Sequence, residues 1–216
     1  MRRGLLLINV GSPEAPTPRA LKRYLKRFLD DHRLIDMPAI VRKPLVHGII
    51  APRRAAQSAA KYATVWGEEG SPLTVYTEAL TQAMQNRLGD DFIVRCAYAV
   101  SDPSIAMGLD ALIDEQVDEV ILAPLFPQNA SATTGACLDQ AFGHLRKAWV
   151  IPPVRVLPPF YNHPAWLDAV ANHSRAAIGD AERVIFSFHG LPERHVQKAR
   201  HGSACEADGK KCCAAS

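Results

Sequence analysis

Residues 4–13 read GLLLINVGSP, an unbroken apolar run of strand length that ends at a glycine, a serine and a proline. Such a run is typical of a strand buried on both faces, as in a parallel sheet covered by helices. Thr17 and Pro18 then occupy positions typical of a helix start, and apolar residues recur at helical spacing as far as Leu29. A buried strand followed by an amphipathic helix predicts an α/β fold.

The same alternation of strand and helix continues along the chain. The sequence predicts further strands at residues 92–98, 119–125, 154–157 and 183–188, and helices at residues 73–88, 103–116, 133–147 and 163–178. Short strands that alternate with longer helices indicate right-handed βαβ units. We therefore expect an α/β, Rossmann-like architecture of mainly parallel sheets flanked by helices.

The distribution of prolines divides the predicted elements into two groups. Proline pairs at 152–153 and 158–159 indicate a first domain over residues 1–150 and the start of a second over residues 151–216. No closing helix is predicted after the strand at 183–188, so we expect the second domain to be incomplete in this chain.

Residues 34–54, LIDMPAIVRKPLVHGIIAPRR, depart from the regular pattern. Three prolines interrupt the apolar residues, and basic residues lie between them. This composition predicts a mobile, partly exposed apolar segment beside a cleft or a membrane surface, and not a core helix.

Composition excludes several classes of protein. The 216 residues carry 25 Lys and Arg against 22 Asp and Glu, and a net charge of +3 is too small to indicate nucleic acid as the main partner. A hydrophobic fraction of 48% excludes a disordered chain. No apolar run approaches the length of about 18 residues that a membrane-spanning helix needs.

Three of the five cysteines lie close together near the C-terminus, which disfavours a disulfide framework. We expect a cytoplasmic protein.

Candidate chemical groups follow the predicted strands, because ligands of open parallel sheets bind at the carboxyl ends of strands. His189 comes directly after the strand at 183–188, where an imidazole can accept a proton or bind a metal, or else serve as a hydrogen-bonded structural residue. Arg54 and Tyr62 share one face if their segment is helical, and with Ser71 they suit the carboxylates of a planar apolar ligand. A solvated basic patch is the alternative for this group.

Three cysteines form a further candidate site. Cys205, Cys212 and Cys213 lie within a stretch rich in glycine, lysine and alanine. Their spacing matches neither zinc fingers nor ferredoxins, so the pattern alone assigns no metal.

Several motifs together resemble the ferrochelatases. Ser187 to Pro192, SFHGLP, is similar to a motif of that family, and so in order are GLLLINVGSPE at 4–14, FLDDHRLIDMP at 28–38 and PQNASATTG at 127–135. The resemblance implies insertion of Fe²⁺ into protoporphyrin IX to give protohaem, the last step of haem synthesis, with release of two protons. It also implies that members of the family continue beyond the length of this chain.

The resemblance implies roles for the candidate residues. His189 would accept a pyrrole proton or deliver Fe²⁺, and Arg54, Tyr62 and Ser71 would contact the porphyrin. Residues 34–54 would form the apolar lip of the porphyrin cleft, able to make a peripheral contact with a membrane. Cys205, Cys212 and Cys213 would be three ligands of a [2Fe–2S] cluster, with zinc or no metal as the alternatives.

Three other functions compete with this interpretation. A cobalt or nickel chelatase would act on another tetrapyrrole, and a non-catalytic module would bind a tetrapyrrole without inserting metal. A flavodoxin-like nucleotide binder is disfavoured, because no glycine-rich phosphate loop follows the first strand.

Overall fold

The computed structural model describes residues 1–198. Within them, four strands form one parallel sheet in the order β2-β1-β3-β4. The strands are β1 (Arg3–Asn9), β2 (Phe92–Tyr98), β3 (Glu119–Pro124) and β4 (Val154–Val156). The prediction of a parallel α/β sheet flanked by helices is confirmed, and these four strands fall where the sequence predicts them.

Eight α-helices connect or follow the strands in the described part of the chain. They are α1 (Pro18–Leu29), α2 (Ala39–Pro44), α3 (Ala51–Ala63), α4 (Pro72–Leu88), α5 (Ile105–Asp114), α6 (Ala136–Leu145), α7 (Pro164–Ile178) and α8 (Glu193–Lys198). A wide π-helical turn, Leu45–Ile50, joins α2 to α3, and a second, Ser131–Gly135, precedes α6. None of these helices is both long and apolar enough to cross a bilayer.

Both faces of the sheet are covered by helices, which explains the continuous apolar run of β1. Leu6 and Ile8 belong to a core cluster with residues of α5 and α6. Leu5 and Leu7 point to the opposite face and pack near Met84 of α4. Because successive side chains of a strand point to opposite faces, burial on both sides requires an apolar residue at every position.

A second packing layer lies beyond the carboxyl ends of the strands. Leu21 and Tyr24 of α1 pack against Ala55 and Ala59 of α3, with Val100 beneath them. The small alanine side chains allow the two helices to approach closely. This layer forms one wall of the cleft described below.

Residues 39–63 are helical, whereas the sequence of 34–54 predicts no core helix there. Pro38 precedes the first residue of α2, Pro44 is the last residue of that helix, and Pro52 lies in the first turn of α3. A proline disrupts a helix least near its start, where its missing N–H is not needed. Most large apolar side chains of this segment are half-buried or exposed, as expected, and only Val46 among them is fully buried. The exposed ones are Met37, Ile40, Val41 and Ile49.

The edge strand β2 is paired on its open side by one side chain. The Gln85 amide of α4 donates to the Phe92 carbonyl at 2.9 Å and accepts from the Val94 N–H at 2.8 Å. These are the two bonds that a neighbouring strand would supply. Unpaired edge groups promote association with other chains, so the glutamine protects this edge.

The chain divides into two compact units, Met1–Pro159 and Phe160–Ser216. The division lies later than residue 150, because β4 pairs with β3 and so belongs to the first unit. In the second unit the described residues include α7 and α8, and residues 183–188 form no strand. Ile185 and Phe186 are exposed there, at 90% and 78%. The strand predicted at 183–188 is therefore wrong, since in the described part no other strand pairs with it.

Candidate functional site

A cleft of about 280 Å³ opens in the first unit, beside the loops that follow β1 and β2. Its walls come from those two loops, from α1, and from the turn between α3 and α4. The main lining residues are Ser12, Pro13, Tyr24, Arg27, Trp66, Ser71, Thr74 and Ser101. Its position agrees with the rule that ligands of parallel sheets bind at the carboxyl ends of the strands.

The loop after β1 is held in place by its backbone. Gly11 has a φ of +95°, which side-chain-bearing residues rarely adopt. A Cβ here would collide with the Ser101 hydroxyl, so the two loops approach closely only because residue 11 is glycine. The Tyr24 hydroxyl donates to the Gly11 carbonyl at 3.4 Å, and the Ser12 N–H donates to the Ser101 hydroxyl at 3.3 Å.

Two buried hydroxyls face each other across the cleft floor. The Oγ atoms of Ser12 and Ser71 lie 2.6 Å apart, and the two residues are only 7% and 8% exposed. Ser71 occupies the N-cap position of α4, yet its hydroxyl makes no capping bond to that helix. A serine at this position ordinarily accepts a bond from the first helical turn. Here the hydroxyl is turned towards Ser12 and the cleft.

A second contact ties α4 to the end of β1. The Asn9 side-chain amide donates to the Thr77 hydroxyl at 3.1 Å, and this hydroxyl donates in turn to the Leu73 carbonyl at 2.7 Å. Thr77 is 3% exposed. Together with the serine pair, this contact sets the position of the first turns of α4 relative to β1.

A row of four aromatic rings lies beside the cleft, and two of them, Tyr24 and Trp66, line it. Phe28, Tyr24, Tyr62 and Trp66 follow one another with ring centroids 5.9, 6.1 and 6.4 Å apart. Burial, and next to it the neighbouring Tyr62 phenol, raise the pKa of Tyr24 well above its ordinary value. Tyr24 is therefore neutral over the physiological range and acts as a hydrogen-bond donor at the cleft.

The charged side chains at the rim are arranged in pairs. Arg23 forms an ion pair with Glu14, and Arg27 Nη1 lies 3.7 Å from Asp102 Oδ1. All four side chains are about half-exposed or more, so each pair is worth at most about 1 kcal/mol and can rearrange. An anionic ligand would compete with Glu14 and Asp102 for these arginines, whereas the serine hydroxyls are accessible without breaking an ion pair.

The structure brings together some of the residues singled out from the sequence. Ser71 lies in the cleft, and Tyr62 lies half-buried behind it, in contact with Tyr24 and Trp66. Arg54 and Tyr62 are both on α3, as expected, but Arg54 is exposed and outside the cleft lining. Their roles as porphyrin ligands stay predictions.

The remaining predicted residues lie outside the first unit. His189 belongs to the second unit, where its side chain is exposed and Nδ1 lies 2.8 Å from the Gly190 carbonyl. Its catalytic role stays a prediction. Cys205, Cys212 and Cys213 lie outside the described residues, and within residues 1–198 no group of three or more His, Cys, Asp or Glu residues is arranged to hold a metal.

Several cleft residues were not found from the sequence. Tyr24 and Arg27 belong to an amphipathic helix, and their pattern indicates only packing and solvation. Ser12 and Ser101 each follow a strand, and that position is the one signal that identifies them. Asp102 joins Pro103 through a cis peptide bond in the same loop.

Comparison with known proteins agrees with the motifs and the sheet. The family model "Ferrochelatase" matches residues 2–214. A ferrochelatase of Legionella pneumophila is 38% identical over 95% of this chain, one of Bdellovibrio bacteriovorus is 40% identical over 91%, and one of Escherichia coli is 37% identical over 90%. The aligned parts cover 61%, 59% and 62% of these relatives, so the chain spans about three fifths of their length. With most of its length matched by the family model and by these relatives, the chain belongs to the ferrochelatase family.

Proposed function

We propose that the chain takes part in the insertion of Fe²⁺ into protoporphyrin IX, the last step of haem synthesis. Membership of the ferrochelatase family over residues 2–214 carries this proposal. In the reaction the two pyrrole N–H groups lose their protons and the four ring nitrogens bind the metal. Iron is the substrate of this step and ends in the product.

The cleft supports the proposal by its chemistry. A porphyrin is a flat apolar ring with two carboxylate tails, and the cleft combines an aromatic wall with buried hydroxyls at Ser12 and Ser71. Its volume of about 280 Å³ lies just below the range of about 300–1,000 Å³ typical of small-molecule sites. We infer that it receives the carboxylate-bearing edge of the ring, with the rest of the ring outside it.

His189 is proposed as the group that removes pyrrole protons or delivers Fe²⁺. Its imidazole is exposed, and an imidazole can accept a proton or bind a metal ion. General base catalysis contributes about 10²–10⁴-fold to a rate. We expect His189→Ala to slow metallation by a factor in that range, while His173→Ala, which changes another exposed histidine of the same unit, leaves the rate unchanged.

Anaerobic metallation of protoporphyrin IX by the full chain tests the proposal. Fe²⁺ or Zn²⁺ is added, and the visible spectrum of the free porphyrin is followed as it is replaced by that of the metalloporphyrin. Binding of the porphyrin without metallation would contradict the enzymatic role and favour a non-catalytic tetrapyrrole-binding module. Faster insertion of Co²⁺ or Ni²⁺ into a different tetrapyrrole would instead favour the alternative chelatase.

We propose a peripheral membrane contact through the residues that precede and form α2 and the following turn. Met37, Ile40, Val41 and Ile49 are exposed apolar side chains there, and Lys43 lies among them, also exposed. Exposed apolar and basic residues on one helix are typical of an interfacial segment. Cosedimentation with anionic vesicles should fall for Ile40→Asp and stay unchanged for Leu80→Asp, a matched change at an exposed leucine of α4.

The free thiols of Cys96 and Cys137 suit the reducing cytoplasm as the compartment.

We propose that Cys205, Cys212 and Cys213 contribute three thiolates to a [2Fe–2S] cluster. The support is the resemblance of this region to family members that carry such a cluster and the clustering of three thiols in the sequence. Anaerobic purification should give a reddish protein with about two iron atoms per chain, the composition of such a cluster. A colourless protein that contains zinc would contradict the cluster.

A further inference from the structure

The hydroxyls of Ser12 and Ser71 form a hydrogen bond whose direction is not set by the positions of the two residues. Each serine hydroxyl has one proton to donate and two lone pairs that accept. At an Oγ–Oγ distance of 2.6 Å one hydroxyl donates to the other, and either direction satisfies the geometry. The direction decides whether the Ser71 proton is available to a ligand.

A carboxylate ligand would select one of the two directions. An ionised carboxylate only accepts hydrogen bonds, so a hydroxyl that contacts it must donate its single proton to it. Ser71 would then have no proton left for Ser12 and would accept from it. The chain of bonds would run from Ser12 to Ser71 to the carboxylate, and consecutive hydrogen bonds of this kind strengthen one another.

The surroundings of both serines favour this arrangement. The Ser71 hydroxyl makes no bond to its own helix, although the residue occupies the N-cap position. Ser12 is held from the other side by its backbone N–H, which donates to the Ser101 hydroxyl at 3.3 Å. Its Oγ is therefore fixed at hydrogen-bonding distance from Ser71 by a rigid loop and does not itself have to reach the ligand.

We propose that Ser12 is a positioning residue, which donates to Ser71 and thereby directs the Ser71 proton to a carboxylate of the bound porphyrin. This inference rests on the proposed function, because it requires a dicarboxylate porphyrin edge in the cleft. It predicts that Ser12 affects binding only through Ser71, and most strongly when the ligand carries a free carboxylate.

Two porphyrins that differ only at the carboxylates test the proposal in the full chain. Mesoporphyrin IX carries two free carboxylates, and its dimethyl ester carries none. Their affinities are measured by quenching of porphyrin fluorescence, which requires no catalytic turnover. Bonds to charged groups are worth more than neutral ones, so Ser71→Ala should weaken binding of the diacid by about tenfold or more. Ser12→Ala should weaken it by about threefold to tenfold. Both variants should weaken binding of the diester by a smaller factor, because ester carbonyl oxygens accept only neutral hydrogen bonds.

Three further variants separate positioning from a general structural effect. The double variant Ser12→Ala with Ser71→Ala should bind the diacid no more weakly than Ser71→Ala alone, because the two residues act in series. Ser12→Thr keeps the hydroxyl and should restore affinity. Ser104→Ala removes a hydroxyl that caps α5 outside the cleft and should leave both affinities unchanged.

Three different results would contradict, respectively, the role of Ser12, the carboxylate contact of Ser71 and the catalytic proposal. If Ser71→Ala weakens binding of the diacid but Ser12→Ala does not, or if Ser12→Ala weakens diacid and diester equally, Ser12 has no directing role. If neither serine affects the diacid, the carboxylate contact itself is wrong, and this inference fails with it. If the diacid result holds but no metal is inserted, the carboxylate subsite stands and the catalytic proposal fails.

Discussion

Gly11→Ala tests the geometry of the cleft loop with one methyl group. Residue 11 has a φ of +95°, and an alanine Cβ would lie 2.9 Å from Tyr98 Cβ and would also collide with the Ser101 hydroxyl. Holding an alanine at such a φ costs about 1–3 kcal/mol. Overpacking against the two neighbours adds about 1–3 kcal/mol. We therefore expect the free energy of unfolding to fall by about 2–6 kcal/mol, a large part of the ~5–15 kcal/mol typical of a domain.

Urea unfolding of wild type and variant measures this change, and Gly143→Ala provides the matched control. Gly143 lies in α6 with open space around its Cα, so the same added methyl group meets no atom. Alanine is the better helix former, and this control should gain about 0.5–1 kcal/mol. A Gly11→Ala protein as stable as the wild type would show that the loop does not have the described backbone, and the close approach of Ser12 to Ser101 would lose its basis.

Three further predictions concern packing, the sheet edge and pH. Leu109→Ala empties a fully buried position of α5 and should cost about 2–5 kcal/mol in urea unfolding, and a loss below 1 kcal/mol would show that this core is not close-packed. Gln85→Leu leaves two strand groups unpaired and should cost about 1–3 kcal/mol with faster exchange of the Val94 amide, while Gln82→Leu on the exposed face of α4 should change neither. Burial, and then the charge of Asp31, raise the pKa of Cys137 to about 12 from an ordinary 9.0, so the fold binds this proton more tightly than the unfolded chain does. The free energy of unfolding should be constant below about pH 9 and fall as the pH rises from there towards 12. Burial also raises the pKa of Tyr24 and of Tyr98, so these two tyrosines contribute to the fall. Between pH 8 and 10.5 the free energy of unfolding, measured in urea, should fall less steeply for Cys137→Ala than for the wild type. Equal slopes would contradict the raised pKa of Cys137.

The strands of the first unit could be predicted because each strand's own residues carry the apolar pattern that its burial requires. β1 is apolar at each position from Leu5 to Ile8 because helices cover both faces of the sheet, and this pattern can be recognised without knowing the neighbouring strands. The start of α1 was equally clear, because the Thr17 hydroxyl accepts from the Ala20 N–H as an N-cap should.

Two errors have a common physical cause. Residues 183–188 are as apolar as a buried strand, yet a strand needs a hydrogen-bonded neighbour, and sequence pattern alone does not supply one. The three prolines in residues 34–54 argue against a core helix, yet Pro38 and Pro52 lie at helix starts, where their missing N–H is tolerated. In both cases the result depends on what surrounds the segment and not on its composition.

The cleft could be predicted only in part. The sequence identifies Ser71 as a candidate together with Arg54 and Tyr62, but its partner Ser12 lies 59 residues away in the sequence. Tyr24 and Arg27 reach the cleft because α1 crosses the carboxyl ends of the strands, a placement set by packing of α1 on α3. Spacing along one helix cannot reveal a contact that depends on where another helix lies.

The wide turn at Leu45–Ile50 changes how the helical segment tolerates differences in length. The buried residues before and after it are Arg42, Val46, Ala51, Ala55 and Ala59, and the one interval of five falls within the turn. A turn with bonds from i to i+5 accommodates one extra residue without rotating the helix that follows. Homologues that lack one residue here should therefore have a regular α-helix with the same buried face. At Gly48 an added Cβ would meet no atom, so we expect deletion of this residue to leave the packing of α3 on α1 intact.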